Sequence, residues 1–269
     1  MKRYLKYIPI LLFIFGSFYS CSISKYIPEG ERLYTGAKLK IESDSIIKYE
    51  DRLKGELETV MLPEPNSKIL GINLGLYYYY KNQKEHPGFI NRWLYKKLGQ
   101  KPVYQSAVKT FDVEELLINR LENRGFFYST ATSKFKESDK RASVTYTVKV
   151  PNPYRMETYQ VDSLPAPIDA EIEELVKNSR IRKNMRFDLP RMKLERLRID
   201  AELKKRGYYN FNEGFLIFEA DTNRYDNKKF DLFLKLKNAV PQKSIVPYRI
   251  SKVNIYPSYE ISDSIQATT

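Results

Sequence analysis

Phe111-Asp112, a helical stretch, Arg124-Gly125-Phe126-Phe127, two strand-like runs and Pro153-Tyr154-Arg155 form a unit of sequence that occurs twice. It returns as Phe187-Asp188, a helical stretch, Arg206-Gly207-Tyr208-Tyr209, two more strand-like runs and Pro247-Tyr248-Arg249. Matching points lie 76 residues apart at Phe111 and Phe187, 82 at Gly125 and Gly207, and 94 at Pro153 and Pro247. Loop lengths differ while the order of elements holds, which is the signature of tandem small modules.

In the first unit Asp112 is placed to N-cap a helix, with Glu115 reaching back from the third helical position to complete a capping box. Val113, Leu116, Leu117 and Leu121 recur at spacings of three and four and define one helix face, which needs a sheet to bury it. Gly125 sits where a left-handed residue ends the helix, and Phe126-Phe127 open an extended run. After the turn Ser138-Asp139-Lys140, the residues Ala142, Val144, Tyr146, Val148 and Val150 alternate with Ser143, Thr145, Thr147 and Lys149, so one strand face is buried and the other wet.

The second unit repeats the logic with Asp188 as cap, Pro190 in the first turn, and Leu194, Leu197 and Ala201 along the expected buried face. Gly207 closes that helix, and extended segments follow at 208–219 and 229–237, the latter with Phe230, Leu232, Leu234 and Leu236 in strict alternation. A strand at 154–162 and a short helix at about 168–177, carrying Ile172, Leu175 and Val176, come first. The order is β-α-α-β-β, an α+β class in which each module is a small three-stranded sheet covered by two helices.

This order, the Gly-aromatic-aromatic junction and the Pro-Tyr-Arg strand starts resemble the POTRA (polypeptide-transport-associated) domains of Omp85-superfamily outer-membrane proteins. Cys21 with Lys25-Tyr26-Ile27-Pro28-Glu29-Gly30-Glu31, Leu33-Tyr34-Thr35-Gly36-Ala37, Pro65-Asn66-Ser67-Lys68-Ile69-Leu70-Gly71, Glu195-Arg196-Leu197-Arg198-Ile199 and Ala220-Asp221-Thr222 resemble the TamA-like lipoprotein branch, TamL, of Bacteroidetes. The resemblance covers nearly the whole chain. Members of that branch continue into a C-terminal membrane barrel, whereas this sequence stops at Thr269, soon after what reads as the first strand of a third module.

Export is argued independently by the N-terminus. Lys2, Arg3 and Lys6 precede the apolar run Ile8 to Phe15, too short to span a membrane, and Gly16, Ser17 and Ser20 lead to Cys21. This suits a lipoprotein signal with acyl chains on Cys21, although Phe18 stands where a lipobox usually has Leu; an ordinary secretory signal with an incidental Cys is the alternative. Cys21 is the only cysteine, so no intrachain disulfide can form. Ser22-Ile23-Ser24-Lys25 has no acidic run resembling a surface-export signal, which places the modules on the periplasmic side of the outer membrane. The expected organisation is a signal peptide at 1–20, a first module at 21–151 with an insertion at about 63–102, a second module at 152–240, and the start of a third module or a truncated continuation at 241–269.

With Lys2, Arg3 and Lys6 removed, +10 of the net charge of +13 remains. DNA binding wants basic residues clustered on one element with a reading motif, and neither appears, so no nucleic-acid partner is expected. Arg180-Ile181-Arg182-Lys183 and Lys204-Lys205-Arg206 are the densest groups, read either as solvated faces and helix ends or as contacts to lipid phosphates. Catalysis finds little support. The single His86 lies in a polar turn, no Cys/His set has metal spacing, and Walker and dinucleotide motifs are missing, so neither an enzyme nor a cofactor or metal is expected. Asp221-Thr222-Asn223 with Asp226 reads as a turn between strands rather than a calcium loop.

The segment Leu76-Tyr77-Tyr78-Tyr79-Tyr80 is read two ways, as a core element beneath the first module or as an exposed docking surface; Trp93 belongs to the short helix that follows. A small sheet leaves an edge with unpaired N–H and C=O groups, to which an extended client can add by β-augmentation. The resemblance implies that this edge is the second strand of each module, about 128–136 and 211–219, and points to Tyr128, Phe135, Phe211, Phe215 and Ile217 as partner-binding residues. The expected role is a non-catalytic, outer-membrane-anchored scaffold that meets unfolded outer-membrane clients or an inner-membrane or periplasmic partner. A barrel-free lipoprotein adaptor that handles no client is the alternative.

Overall fold

The alternating run Arg141–Val150 organises the first half of the chain, because its apolar face needs helices and its backbone needs neighbours. The computed structural model describes residues 23–162 and 164–255. The expected signal peptide, Cys21 and the end of the chain from residue 256 lie outside the described residues. What is described falls into two compact units that divide between Pro153 and Tyr154.

The first unit runs β1 (Leu33–Ser43), α1 (Glu50–Glu58), α2 (Leu74–Asn82), α3 (Phe89–Leu98), α4 (Thr110–Glu122), β2 (Thr130–Glu137) and β3 (Arg141–Val150). Its sheet has the order β1-β3-β2, with β3 parallel to β1 and antiparallel to β2. Val144, Tyr146, Val148 and Val150 of β3 pack against Leu53 and Leu57 of α1 and Val113, Leu117 and Leu121 of α4. Each such fully buried aliphatic stabilises the fold by about 1.5–3 kcal/mol over an exposed one. Leu116, expected on this face, is half exposed. Asp112 is not the cap: the helix begins two residues earlier, Lys109 occupies the cap position without a side-chain bond, and Asp112 sits in the first turn, 3.8 Å from the Lys109 ammonium. There its charge favours the helix dipole instead.

The second unit runs β4 (Arg155–Val161), α5 (Ile168–Lys177), α6 (Leu189–Lys205), β5 (Leu216–Asp221) and β6 (Lys229–Leu236). Its order, β4-β6-β5, repeats the first, again with a parallel and an antiparallel pair. Asp188 does cap α6, accepting from the Arg191 N–H at 3.1 Å. The buried face of α6 is a correction: Leu194, Leu197 and Ala201 are exposed, and Met192, Glu195, Ile199 and Leu203 point inward. Glu195 can be buried because Arg198 donates to both its oxygens, at 3.0 and 2.7 Å, and donates again to the Leu175 carbonyl of α5 at 2.8 Å. The second strand is also shorter than expected. Tyr208 and Phe211 are plugs in the core, both 2% exposed, and a 3-10 turn at Glu213–Phe215 delays β5 until Leu216. From Lys237 to Ile255 the described residues hold a 3-10 turn, Gln242–Ser244, and no strand.

Both units close their long helix alike. Gly125 and Gly207 take φ of 84° and 93°, which glycine adopts without a Cβ penalty, and the next residue, Phe126 or Tyr208, turns into the core. In the first unit α2 and α3 form an inserted helical hairpin. Leu76 of α2 is fully buried with Ile23, Ile27 and Leu33, Tyr80 stacks on Tyr26 at 5.2 Å, and the Tyr80 and Tyr104 hydroxyls share a 2.7 Å hydrogen bond. Burial, and then that bond, push the Tyr80 phenol well above its usual range. The tyrosine run is thus a helix packed in part against the chain's own N-terminal segment.

Candidate functional site

Every three-stranded sheet has two edges, and in both units the chain covers only the start of one of them. The start of β1 is met by the segment after α3: the Tyr34 N–H donates to the Val103 carbonyl at 2.8 Å, and the Gln105 N–H to the Arg32 carbonyl at 2.8 Å. The start of β4 is met by the segment before α6, through Met156 N–H to the Met185 carbonyl at 2.8 Å, Asn184 N–H to the Met156 carbonyl at 2.7 Å and Phe187 N–H to the Tyr154 carbonyl at 3.0 Å. The outer edges of β2 and β5 have no backbone strand beside them among the described residues.

Which backbone groups these edges display follows from register. The Ser138 N–H donates to the Arg141 carbonyl at 2.8 Å, so that pair is hydrogen-bonded, and the pairs alternate back along β2. Thr130, Thr132, Lys134 and Lys136 therefore direct N–H and C=O to β3, while Ala131, Ser133, Phe135 and Glu137 direct theirs outward. In β5 the Lys237 N–H donates to the Phe215 carbonyl at 2.9 Å, which turns Ile217, Glu219 and Asp221 toward β6 and Leu216, Phe218 and Ala220 outward. The Leu216 carbonyl is already taken by the Arg196 guanidinium at 3.3 Å. Of the two second strands β2 thus offers the longer open edge, beside a shallow concavity of about 530 Å³ lined in part by Thr132, Lys134, Lys136, Thr145 and Thr147. The exposed lysines Lys134 and Lys136 keep such an edge from pairing with its own kind.

The structure distributes the five expected residues unevenly. Phe135 lies on the open edge, its ring half-buried against the core and its backbone facing out. Tyr128 is exposed but precedes β2, in the left-handed region at φ 64°. Phe211 is a core residue on no strand, and its ring meets that of Phe215 at 5.8 Å; a side chain held in the core by burial offers nothing to a client. Phe215 belongs to the 3-10 turn, and Ile217 shows its side chain while its backbone faces β6. Ala131, Ser133 and Glu137 were not singled out in the sequence, although counting back from a two-residue turn at Asp139-Lys140 would have found them.

Most of the dense basic groups are neutralised by neighbours. Lys183 and Lys229 both bond Glu157, the latter at 2.9 Å, and together hold its carboxyl down to about 2. Arg206 bonds Glu171 and Glu174, Lys204 bonds Asp200 at 2.8 Å, and Lys205 bonds Glu202 at 2.7 Å. On β6, Lys235 bridges Asp162 at 3.0 Å and Glu219 of β5 at 3.1 Å, and these bonds raise its ammonium above the ordinary lysine range. Buried Asp231, on the face of β6 expected to be wet, accepts from Thr158 at 2.5 Å and Tyr225 at 2.8 Å. Asp221 accepts the Asn223 N–H at 2.8 Å in the turn after β5. Among the described residues no three His, Cys, Asp or Glu side chains stand close enough to hold a metal ion, and no helix is long and apolar enough to cross a membrane. His86 is exposed between α2 and α3.

No protein-family model matches the chain, and no curated protein matches it. Solved structures do resemble it. POTRA domains 3–5 of BamA from Haemophilus influenzae are 16% identical over 78% of this chain and 68% of that chain, with a TM-score of 0.38. BamA from Haemophilus ducreyi lacking POTRA domains 1–3 is 14% identical over 74% of this chain and 28% of that longer chain, with a TM-score of 0.35. POTRA domains 1–2 of the periplasmic domain of Omp85 from Anabaena are 12% identical over 76% and 94%, with a TM-score of 0.33.

Proposed function

We propose that this chain is a non-catalytic, POTRA-like scaffold of the TamL type, anchored to the outer membrane by acyl chains on Cys21, and that it handles envelope proteins in the periplasm. The observation that carries the reading is the repeated asymmetry of the sheets. In both units the chain covers the start of the first strand and leaves the outer edge of the second strand without a backbone neighbour among the described residues. An extended client can complete β2 through the outward N–H and C=O groups of Ala131, Ser133, Phe135 and Glu137. Affinity then comes from the main chain and depends little on client sequence, which suits unfolded outer-membrane proteins.

Hydrogen exchange of the full chain with an alternating ten-residue peptide, of the kind that forms one strand of a membrane barrel, tests this. Protection is expected over Ala131–Glu137, weaker over Phe218–Ala220 and unchanged over β1 and β4. Protection confined to helices, or none at saturating peptide, would overturn edge binding. Anchoring is tested separately by intact mass and globomycin sensitivity of the native protein; an unlipidated, soluble product would remove the outer-membrane assignment.

A further inference from the structure

The inserted hairpin carries a surface that the sheet edges do not explain. None of the side chains of α3 is buried. Tyr95 turns toward Tyr79 of α2, 6.2 Å between ring centroids, while Phe89 is 77%, Ile90 69% and Trp93 53% exposed. At 100° per residue these three span little more than a quarter turn, flanked on one side by Arg92 and Lys96, while Lys97 projects between Trp93 and Ile90 at the C-terminal end of the helix. Over 63–102 the insertion holds seven basic residues against two acidic ones, Glu64 and Glu85. An apolar, aromatic ridge bordered by cations matches the interface of an anionic bilayer, where rings enter the headgroup boundary and ammonium and guanidinium groups meet phosphates.

A second observation brings the same hairpin to a membrane. Its other helix, α2, buries Leu76 against Ile23 and Ile27 and stacks Tyr80 on Tyr26. Ile23 stands two residues from Cys21, a reach of at most about 7 Å of extended chain. We propose that the Phe89-Ile90-Trp93 face of α3 docks on the surface of an anionic lipid bilayer, as a second contact beside the acyl anchor. The contact rests on the envelope reading above but not on acylation itself, because a basic amphipathic face binds an anionic surface through its own apolar area and charge.

Trp93 is the only tryptophan, so its emission reports this face alone. The test uses the full chain with Cys21→Ser, which removes acylation, titrated with vesicles of phosphatidylcholine alone or with roughly a third phosphatidylglycerol. Because Ile8 to Phe15 can itself hold vesicles, the readout is the blue shift of Trp93 and its quenching by brominated acyl chains, not retention. The expected result is a shift with phosphatidylglycerol vesicles that salt reverses and that phosphatidylcholine alone does not produce. F89S/I90S should abolish it. K96Q/K97Q should weaken it about thirtyfold, the equivalent of roughly 1 kcal/mol for each of two cations near an anionic surface. No shift at low salt, an equal shift in both variants, or a shift that follows protein concentration without vesicles would overturn the proposal, the last because a second copy then covers the face. Edge protection by peptide would be untouched by any of these results, so the two readings fail separately.

Discussion

The guanidinium of Arg124 meets the carboxylate of Glu56 through two hydrogen bonds, Nε to Oε2 at 2.9 Å and Nη2 to Oε1 at 2.7 Å, and so ties the end of α4 to α1. The second unit repeats the device with Arg206, which reaches from the end of α6 to Glu171 and Glu174 of α5. The recurring Arg-Gly-aromatic junction is therefore one mechanical part: a cation that clamps the two helices, a left-handed glycine, and a ring that plugs the core.

Arg124 is the more enclosed of the two clamps, with 17% of its side chain exposed against 29% for Arg206. Arg124→Ala is expected to cost about 1–2 kcal/mol, between the ranges for exposed and buried pairs, and Arg206→Ala less. Arg124→Lys should recover only part of the loss, because an ammonium cannot make the two-pronged contact. Urea unfolding of both single variants and the Arg124→Ala/Glu56→Ala double variant measures the coupling; strictly additive effects would show that the contact carries no energy of its own.

The same substitution should act with opposite sign at two helical glycines. A Cβ on Gly55 of α1 meets nothing within 4 Å, so Gly55→Ala removes an entropic cost and stabilises by roughly 0.5–1 kcal/mol. A Cβ on Gly75 of α2 would stand 2.6 Å from the Leu98 carbonyl at the end of α3, so Gly75→Ala must push the hairpin apart and is expected to destabilise by about 1–3 kcal/mol. Thermal melting of each variant decides it, and a stabilising Gly75→Ala would mean that α3 does not pack so closely on α2.

Glu157 gives the second unit an acid-sensitive contact. Hydrogen bonds from Lys183, then Lys229, lower its folded pKa from 4.5 to about 2, so the contribution is complete above pH 4.5 and disappears as pH falls toward 2. Glu157→Gln should flatten that acid limb and leave the slope above pH 5 unchanged. Exchange of the β6 amides as a function of pH follows this unit by itself. An identical acid limb in wild type and variant would assign the sensitivity to other carboxylates.

Legibility in the sequence tracked how far one residue's environment depended on distant ones. The β3 alternation from Ala142 to Val150 and the α5 positions Ile168–Lys177 were readable because local period and burial agree. The face of α6 was not: Glu195 counts as polar in any periodic reading, and only Arg198 beside it makes its burial tolerable, so Leu194 and Leu197 took its place in the pattern. Phe211 reads as a strand aromatic, yet the left-handed Gly207 and the turn at 213–215 send it into the core. The open edges depend on pairing partners and on register, which hydrophobicity does not encode.

Register makes the last prediction sharp, because neighbouring residues of β2 should respond to proline in opposite ways. The Ser133 N–H faces outward and bonds nothing in β3, so Ser133→Pro removes a donor from the open edge while leaving the ladder whole. The Lys134 N–H belongs to the ladder opposite Thr145, so Lys134→Pro breaks the sheet and lowers the melting temperature clearly. If an extended client completes β2, Ser133→Pro should keep the wild-type circular dichroism and weaken peptide binding about fivefold, the value of one main-chain hydrogen bond of about 1 kcal/mol. Full affinity in a folded Ser133→Pro variant would rule out strand addition at β2. Binding would then have to be sought at β5, where Phe218 and Ala220 face outward and the Leu216 carbonyl is already occupied by Arg196.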